Sequence, residues 1–144
     1  MGISIILRVP NFSRMKAEIQ QQIIREMERV AVDNKEEVIT RTGRGLDYDG
    51  KPFARYSAKY ARFKSDKGRN VSRPDLRLSG RMLQSIQHKV LIQGKKIVAR
   101  IFPISNLEAL KIRGNMRTRE FFAISEKQKK DFRDRISNLF RRLK

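Results

Sequence analysis

The chain has 144 residues, with 34 Lys and Arg against 15 Asp and Glu, and a formal net charge of +19. A chain of this length fits one domain with one modest core. The absence of cysteine excludes disulfides and thiolate metal sites, and a single histidine, His88, leaves little for histidine-based catalysis. The charge directs the chain towards polyanions such as DNA, RNA or acidic protein surfaces.

No run of residues is apolar for long enough to span a membrane. The N-terminal run Ile3–Val9 lacks the basic start and small-residue cleavage site of a signal peptide, so synthesis in the cytoplasm is expected. Ile3, Ile5, Leu7 and Val9 alternate along that run and predict a strand, which Pro10 ends. Asn11 or Ser13 is placed to cap the helix that follows. From Arg14 to about Ile39, Met15, Ile19, Ile23, Met27, Val30 and Val38 recur at helical spacing among charged residues, predicting a long amphipathic helix. Methionine at such spacing reads as core packing ahead of an adaptable binding groove. Thr42-Gly43-Arg44-Gly45 stops this helix.

Residues 43–75 then form a long basic arm, too rich in Gly, Pro, Asp and Lys for one regular element. Compact domains rarely carry such a connection without a use for it. Arg55, Lys59, Arg62, Lys64, Lys67 and Arg69 interleave with Phe53, Tyr56, Tyr60 and Phe63. The spacing of Tyr56, Tyr60 and Phe63 predicts a short helix over Ser57–Lys64, and Ser65–Asn70 reads as a tip. The interleaving has two readings. The cations and rings meet nucleic acid by phosphate pairing and stacking, or the aromatics anchor the arm to its own or a neighbouring subunit while the lysines are solvated.

Ser79 is placed to cap a short helix that turns Met82, Leu83 and Ile86 inward. His88–Gln93 and Lys96–Phe102 flank Gly94-Lys95 as a hairpin, with Ile97, Ala99 and Ile101 on one face. Residues 106–120 read as a second irregular basic segment. Ser125 with Gln128 forms a capping-box pattern before a last helix, whose stripe is Phe132, Ile136, Leu139 and Leu143. The expected fold is α+β: a small antiparallel sheet, made of the N-terminal strand and the hairpin, packed on the long helix.

Enzymatic chemistry finds little support. Asp47-Tyr48-Asp49-Gly50 begins like a calcium loop, but the twelfth position is Ala58, where glutamate is required. The two aspartates read as turn formers. Asp47, Asp49, Asp66 and Asp75 are too scattered for a metal-dependent nuclease, and Gly43-Arg44-Gly45 lacks the lysine and strand context of a phosphate loop. No enzyme activity, cofactor or metal is expected.

The stretch Asp49-Gly50-Lys51-Pro52-Phe53-Ala54-Arg55-Tyr56-Ser57-Ala58-Lys59-Tyr60, followed by Leu76-Arg77-Leu78-Ser79-Gly80-Arg81-Met82-Leu83-Gln84-Ser85-Ile86, resembles the tailed-phage tail completion, or virion morphogenesis, family of head–tail joining proteins. Arg119-Glu120-Phe121-Phe122-Ala123-Ile124-Ser125 is similar to the segment that precedes the final helix in that family. Phe53 stands where tryptophan is frequent, and Glu120 where proline is expected. Leu110-Lys111-Ile112-Arg113 replaces a histidine-aromatic-glycine feature.

The resemblance implies a structural protein of the virion neck or tail, made in the host cytoplasm. Such proteins assemble as a homo-oligomeric ring, often sixfold, around the DNA channel. They contact other connector or tail proteins and meet double-stranded DNA without sequence preference. On that reading Phe53, Tyr56, Tyr60, Phe63, Phe121 and Phe122 carry subunit contacts, and Arg55, Lys59, Arg62, Lys64, Lys67 and Arg69 face DNA or acidic neighbours. The alternative is a sequence-nonspecific nucleic-acid-binding protein outside a virion.

Overall fold

A computed structural model of the chain describes residues 2–76 and 80–143. The expected cap at Ser79 lies outside the described residues. The fold is α+β. Strand β1 (Ile3–Arg8) leads through a 3-10 turn (Phe12–Arg14) into helix α1 (Ala17–Gly43). Helix α2 (Ala58–Asp66) and the short α3 (Arg81–Gln84) precede β2 (Ile86–Gln93) and β3 (Lys96–Pro103), and α4 (Asn106–Met116) and α5 (Glu126–Arg142) follow.

The sheet has the order β1-β3-β2, and both pairs are antiparallel. Ile5 faces Ala99, which faces Val90 across the sheet. The two-residue hairpin turn opens with Gly94 at φ +61°, a conformation that favours glycine. Residues of even spacing on β1 and β3, from Ile3 to Leu7 and from Ile97 to Ile101, lie on one side, and α1 packs across that side. The core falls into two clusters. One joins Leu7, Ile97 and Ala99 to Ile23, Met27 and Leu139, with Phe132, Ile136 and Leu143 of the α5 stripe against it. The other joins Val38, Ile86 and Ile101 to Ile112, Phe53, Phe121 and Phe122. The methionine of the α1 stripe at Met27 is therefore core, fully buried.

Two boundaries differ from expectation. Helix α1 starts at Ala17, and neither Asn11 nor Ser13 caps it. Buried Phe12 draws the chain into the 3-10 turn first, and the Phe12 carbonyl accepts from Gln20 Nε2 at 2.7 Å. Residues 106–116, expected to be irregular, form α4. Ser105 caps it by accepting from the Glu108 amide at 3.3 Å. Its apolar residues point both inward (Ala109, Ile112) and outward (Leu107, Leu110), so no single stripe marks it in the sequence. The capping box at Ser125 is formed as expected: the Gln128 amide donates to Ser125 Oγ at 3.1 Å and Gln128 Oε1 accepts from the Ser125 amide at 3.0 Å.

Candidate partner and nucleic-acid surface

The arm begins as a tight turn. Asp47 Oδ1 accepts from the amides of Asp49 (2.9 Å) and Lys51 (2.8 Å), and Gly50 takes φ +82°. Leu46 then bridges Pro52, and the Phe53 amide donates to the Gly45 carbonyl at 2.8 Å. Asp47 is thus a turn former. Among the described residues no group of His, Cys, Asp and Glu is arranged to hold a metal ion.

This turn drives Phe53 into the core, where it is 7% exposed beside Phe121 and Phe122. These three rings were expected at a subunit contact, and that expectation is corrected. A chain with few large apolar residues spends its phenylalanines on its own interior first. The first half of the arm is therefore not a free strap. The Tyr48 amide donates to the Glu120 carbonyl at 2.9 Å, and Arg119 donates to the Ala54 carbonyl at 3.0 Å.

Arg41, not among the residues expected to act, fastens the same region. Buried on α1, it donates to the carbonyls of Phe121 (3.1 Å) and Ala123 and to Gln128 Oε1 (2.5 Å). Gln128 Nε2 in turn donates to Asn34 Oδ1 at 2.7 Å. Burial lowers the Arg41 pKa, opposed by Glu37 and Asp47. The only signal for it is an arginine four residues before Gly45, on the stripe begun by Met27, Val30 and Val38.

The second half of the arm is organised by Tyr56. Its hydroxyl accepts from the Leu76 amide at 3.1 Å and from Lys64 Nζ at 3.3 Å. Lys64 Nζ also reaches Asp75 Oδ1 at 2.5 Å and lies 4.8 Å from the Tyr56 ring centre. Arg119 covers the same ring at 4.9 Å, and Tyr60 meets it edge-on at 4.8 Å. Lys64 is therefore buried and cannot face DNA, the second correction among the expected site residues. Burial alone lowers its pKa, but Asp75 and Tyr56 outweigh burial and hold it above the usual lysine value. Burial also raises the Tyr60 hydroxyl, with Tyr56 adding to the effect.

The remaining arm residues stay at the surface. Arg55, Lys59, Arg62, Lys67 and Arg69 are exposed, as are Tyr60 and Phe63, with Lys67 Nζ 5.5 Å from the Phe63 ring. Between α2 and α4 lies an open cleft of about 550 Å³, with Leu76 and Met82 as apolar lining and Tyr56, Tyr60, Lys111, Asn115 and Arg119 around it. On the α4 side Ile104, Leu107 and Leu110 are 67%, 62% and 60% exposed. Exposed apolar side chains of this size are the first candidates for contact with a partner. No protein family, curated protein or solved structure matches this chain.

Proposed function

We propose that this chain is a non-enzymatic structural protein of a tailed-phage virion. On this reading it belongs to the head–tail joining or tail completion apparatus, and its copies associate as a ring around the DNA channel. The observation that carries the reading is α4, an eleven-residue helix that is apolar on both sides. Ala109 and Ile112 face the core, while Leu107 and Leu110, with Ile104 before them, stand in solvent. A helix with two apolar faces belongs inside something, and a second copy supplies the missing layer. A heterologous contact of this kind closes into a ring when its rotation permits. The exposed Tyr60 and Phe63 of α2 extend the contact surface across the cleft.

The family resemblance of residues 49–60 and 76–86 and the charge of +19 support the same reading. The charge suits a protein that lies against packaged DNA. The test is sedimentation velocity and negative-stain electron microscopy of the purified chain at low and high salt. Discrete ring-shaped particles support the reading. A chain that stays monomeric at high concentration and is absent from virions removes it.

A further inference from the structure

Buried Ile23, Met27, Ala31 and Val38 of α1, Ile112 of α4 and Leu139 of α5 cluster with one side of the sheet. The other side carries a different pattern. Across the strands, Arg8 is level with Lys96 and Gln93, then Ile6 with Val98 and Leu91, then Ser4 with Arg100 and Lys89. Val98 is buried yet joins neither core cluster. Ile6 is 48% exposed, and Arg8, Lys89 and Lys95 are also exposed.

The charge on this side is one-signed. The three strands and the hairpin turn contain no Asp or Glu. Among the described residues Arg8, Lys89, Lys95, Lys96 and Arg100 enter no ion pair, whereas Lys64, Lys111, Lys129 and Arg135 elsewhere each hold a carboxylate. Arg100 Nε is buried without an acceptor. Lys89 Nζ lies 5.1 Å from the Phe102 ring centre on this side, a contact that leaves its charge uncompensated. A one-signed cationic face of this kind suits an anionic counterpart.

The geometry suits a polyanion with two charged rails. Lys96 and Arg100 are four residues apart on an extended strand, so the two cation rows run roughly 13 Å apart. A duplex major groove about 12 Å wide carries a phosphate rail on each side, within reach of long, flexible side chains splayed outwards from the two rows. The middle row, Ile6 with Val98 and Leu91, has no hydrogen-bonding side chain and therefore reads no base. We propose that this open side of the sheet is the docking surface for the sugar–phosphate backbone of duplex DNA, with Arg8 and Lys96 on one rail and Arg100 and Lys89 on the other. The proposal rests on the reading that the chain meets a DNA genome, and not on ring closure.

The experiment compares two variants of equal charge in fluorescence-anisotropy titrations of the full chain with a random-sequence DNA duplex over a salt series. One is Arg8→Gln with Lys89→Gln and Lys96→Gln; the other is Lys59→Gln with Arg62→Gln and Arg69→Gln on the arm. The sheet variant is expected to lower the slope of log affinity against log salt by about 3, and to weaken binding at about 0.1 M salt by roughly two to three orders of magnitude. The arm variant is expected to change binding by less than about tenfold. A footprint needs no variant: bound duplex should protect Lys89, Lys95 and Lys96 from acetylation more than Lys59 and Lys67. Equal or greater loss in the arm variant, or protection confined to the arm, overturns the surface assignment while leaving DNA contact intact. Failure of the unaltered chain to bind duplex overturns both. If the sheet variant loses binding to poly-glutamate but not to DNA, the counterpart is an acidic protein surface and the proposal falls.

Discussion

Replacing Leu107 and Leu110 by serine tests the assembly reading at its most exposed point. Both side chains already stand more than half in solvent in the single chain, at 62% and 60%, so little of their burial belongs to the monomer fold. Fully burying a leucine side chain is worth about 1.5–3 kcal/mol, so completing the burial of each in a subunit contact is worth about 1–2 kcal/mol. The pair then accounts for about 2–4 kcal/mol per contact, which is roughly a 30- to 1,000-fold change in the association constant. The monomer should keep its unfolding free energy within about 0.5 kcal/mol, as surface substitutions usually do. Sedimentation velocity across a concentration series reads the association, and a thermal melt under monomeric conditions reads the fold. A double variant that assembles at the same concentration as the parent refutes the reasoning, because it shows that α4 meets nothing in the assembly.

Other predictions concern the arm. Phe53→Ala should lower unfolding free energy by about 3–5 kcal/mol and the melting temperature by roughly 10 °C, because the ring fills the second core cluster; an unchanged melt of the monomer would return Phe53 to a subunit contact. Arg41→Met should cost about 3 kcal/mol by leaving the Phe121 and Ala123 carbonyls without their donor, and hydrogen exchange should rise in residues 121–125 first. Lys64→Met withdraws the ammonium from Asp75 and should cost about 3 kcal/mol near neutral pH. The pH dependence of the parent follows from the raised Lys64 value. The folded chain holds that proton more tightly than the unfolded chain, so the stabilisation is complete below the ordinary lysine value and is lost as pH rises through the higher folded-state value. The raised Tyr60 value acts in the same direction. Chemical denaturation between about pH 9 and 11.5, around the ordinary lysine value, should show the steeper alkaline decline in the parent and a shallower one in Lys64→Met.

Period-two and period-3.6 patterns carry most of this fold. Ile3, Ile5 and Leu7, the stripe on α1, the glycine-led hairpin and the Ser125 capping box each consist of neighbours in sequence whose partner is dictated by geometry, and each forms as expected. Helix α4 was not legible because its apolar residues point two ways, Ala109 and Ile112 inward and Leu107 and Leu110 into solvent, so no single stripe marks it. The arm misled for a related reason. Composition shows that Phe53 and Lys64 are apolar and charged, but not that a turn around Asp47 aims one into the core, or that Asp75 folds back to cover the other. The cationic sheet face was equally hidden. Arg8 and Lys96 are 88 positions apart in the chain and become neighbours only through the register of β1 on β3.

That same register fixes when the molecule can form. Ile3 waits for Ile101, and the apolar stripe of α1 waits for Phe132 and Leu139. A nascent chain emerging from the ribosome therefore carries its first strand and longest helix with their greasy sides bare until β3 and α5 have been made. Closure over such separations is slow and leaves the early segments open to wrong partners. Productive folding accordingly waits for α5, and versions cut before it should accumulate as insoluble material.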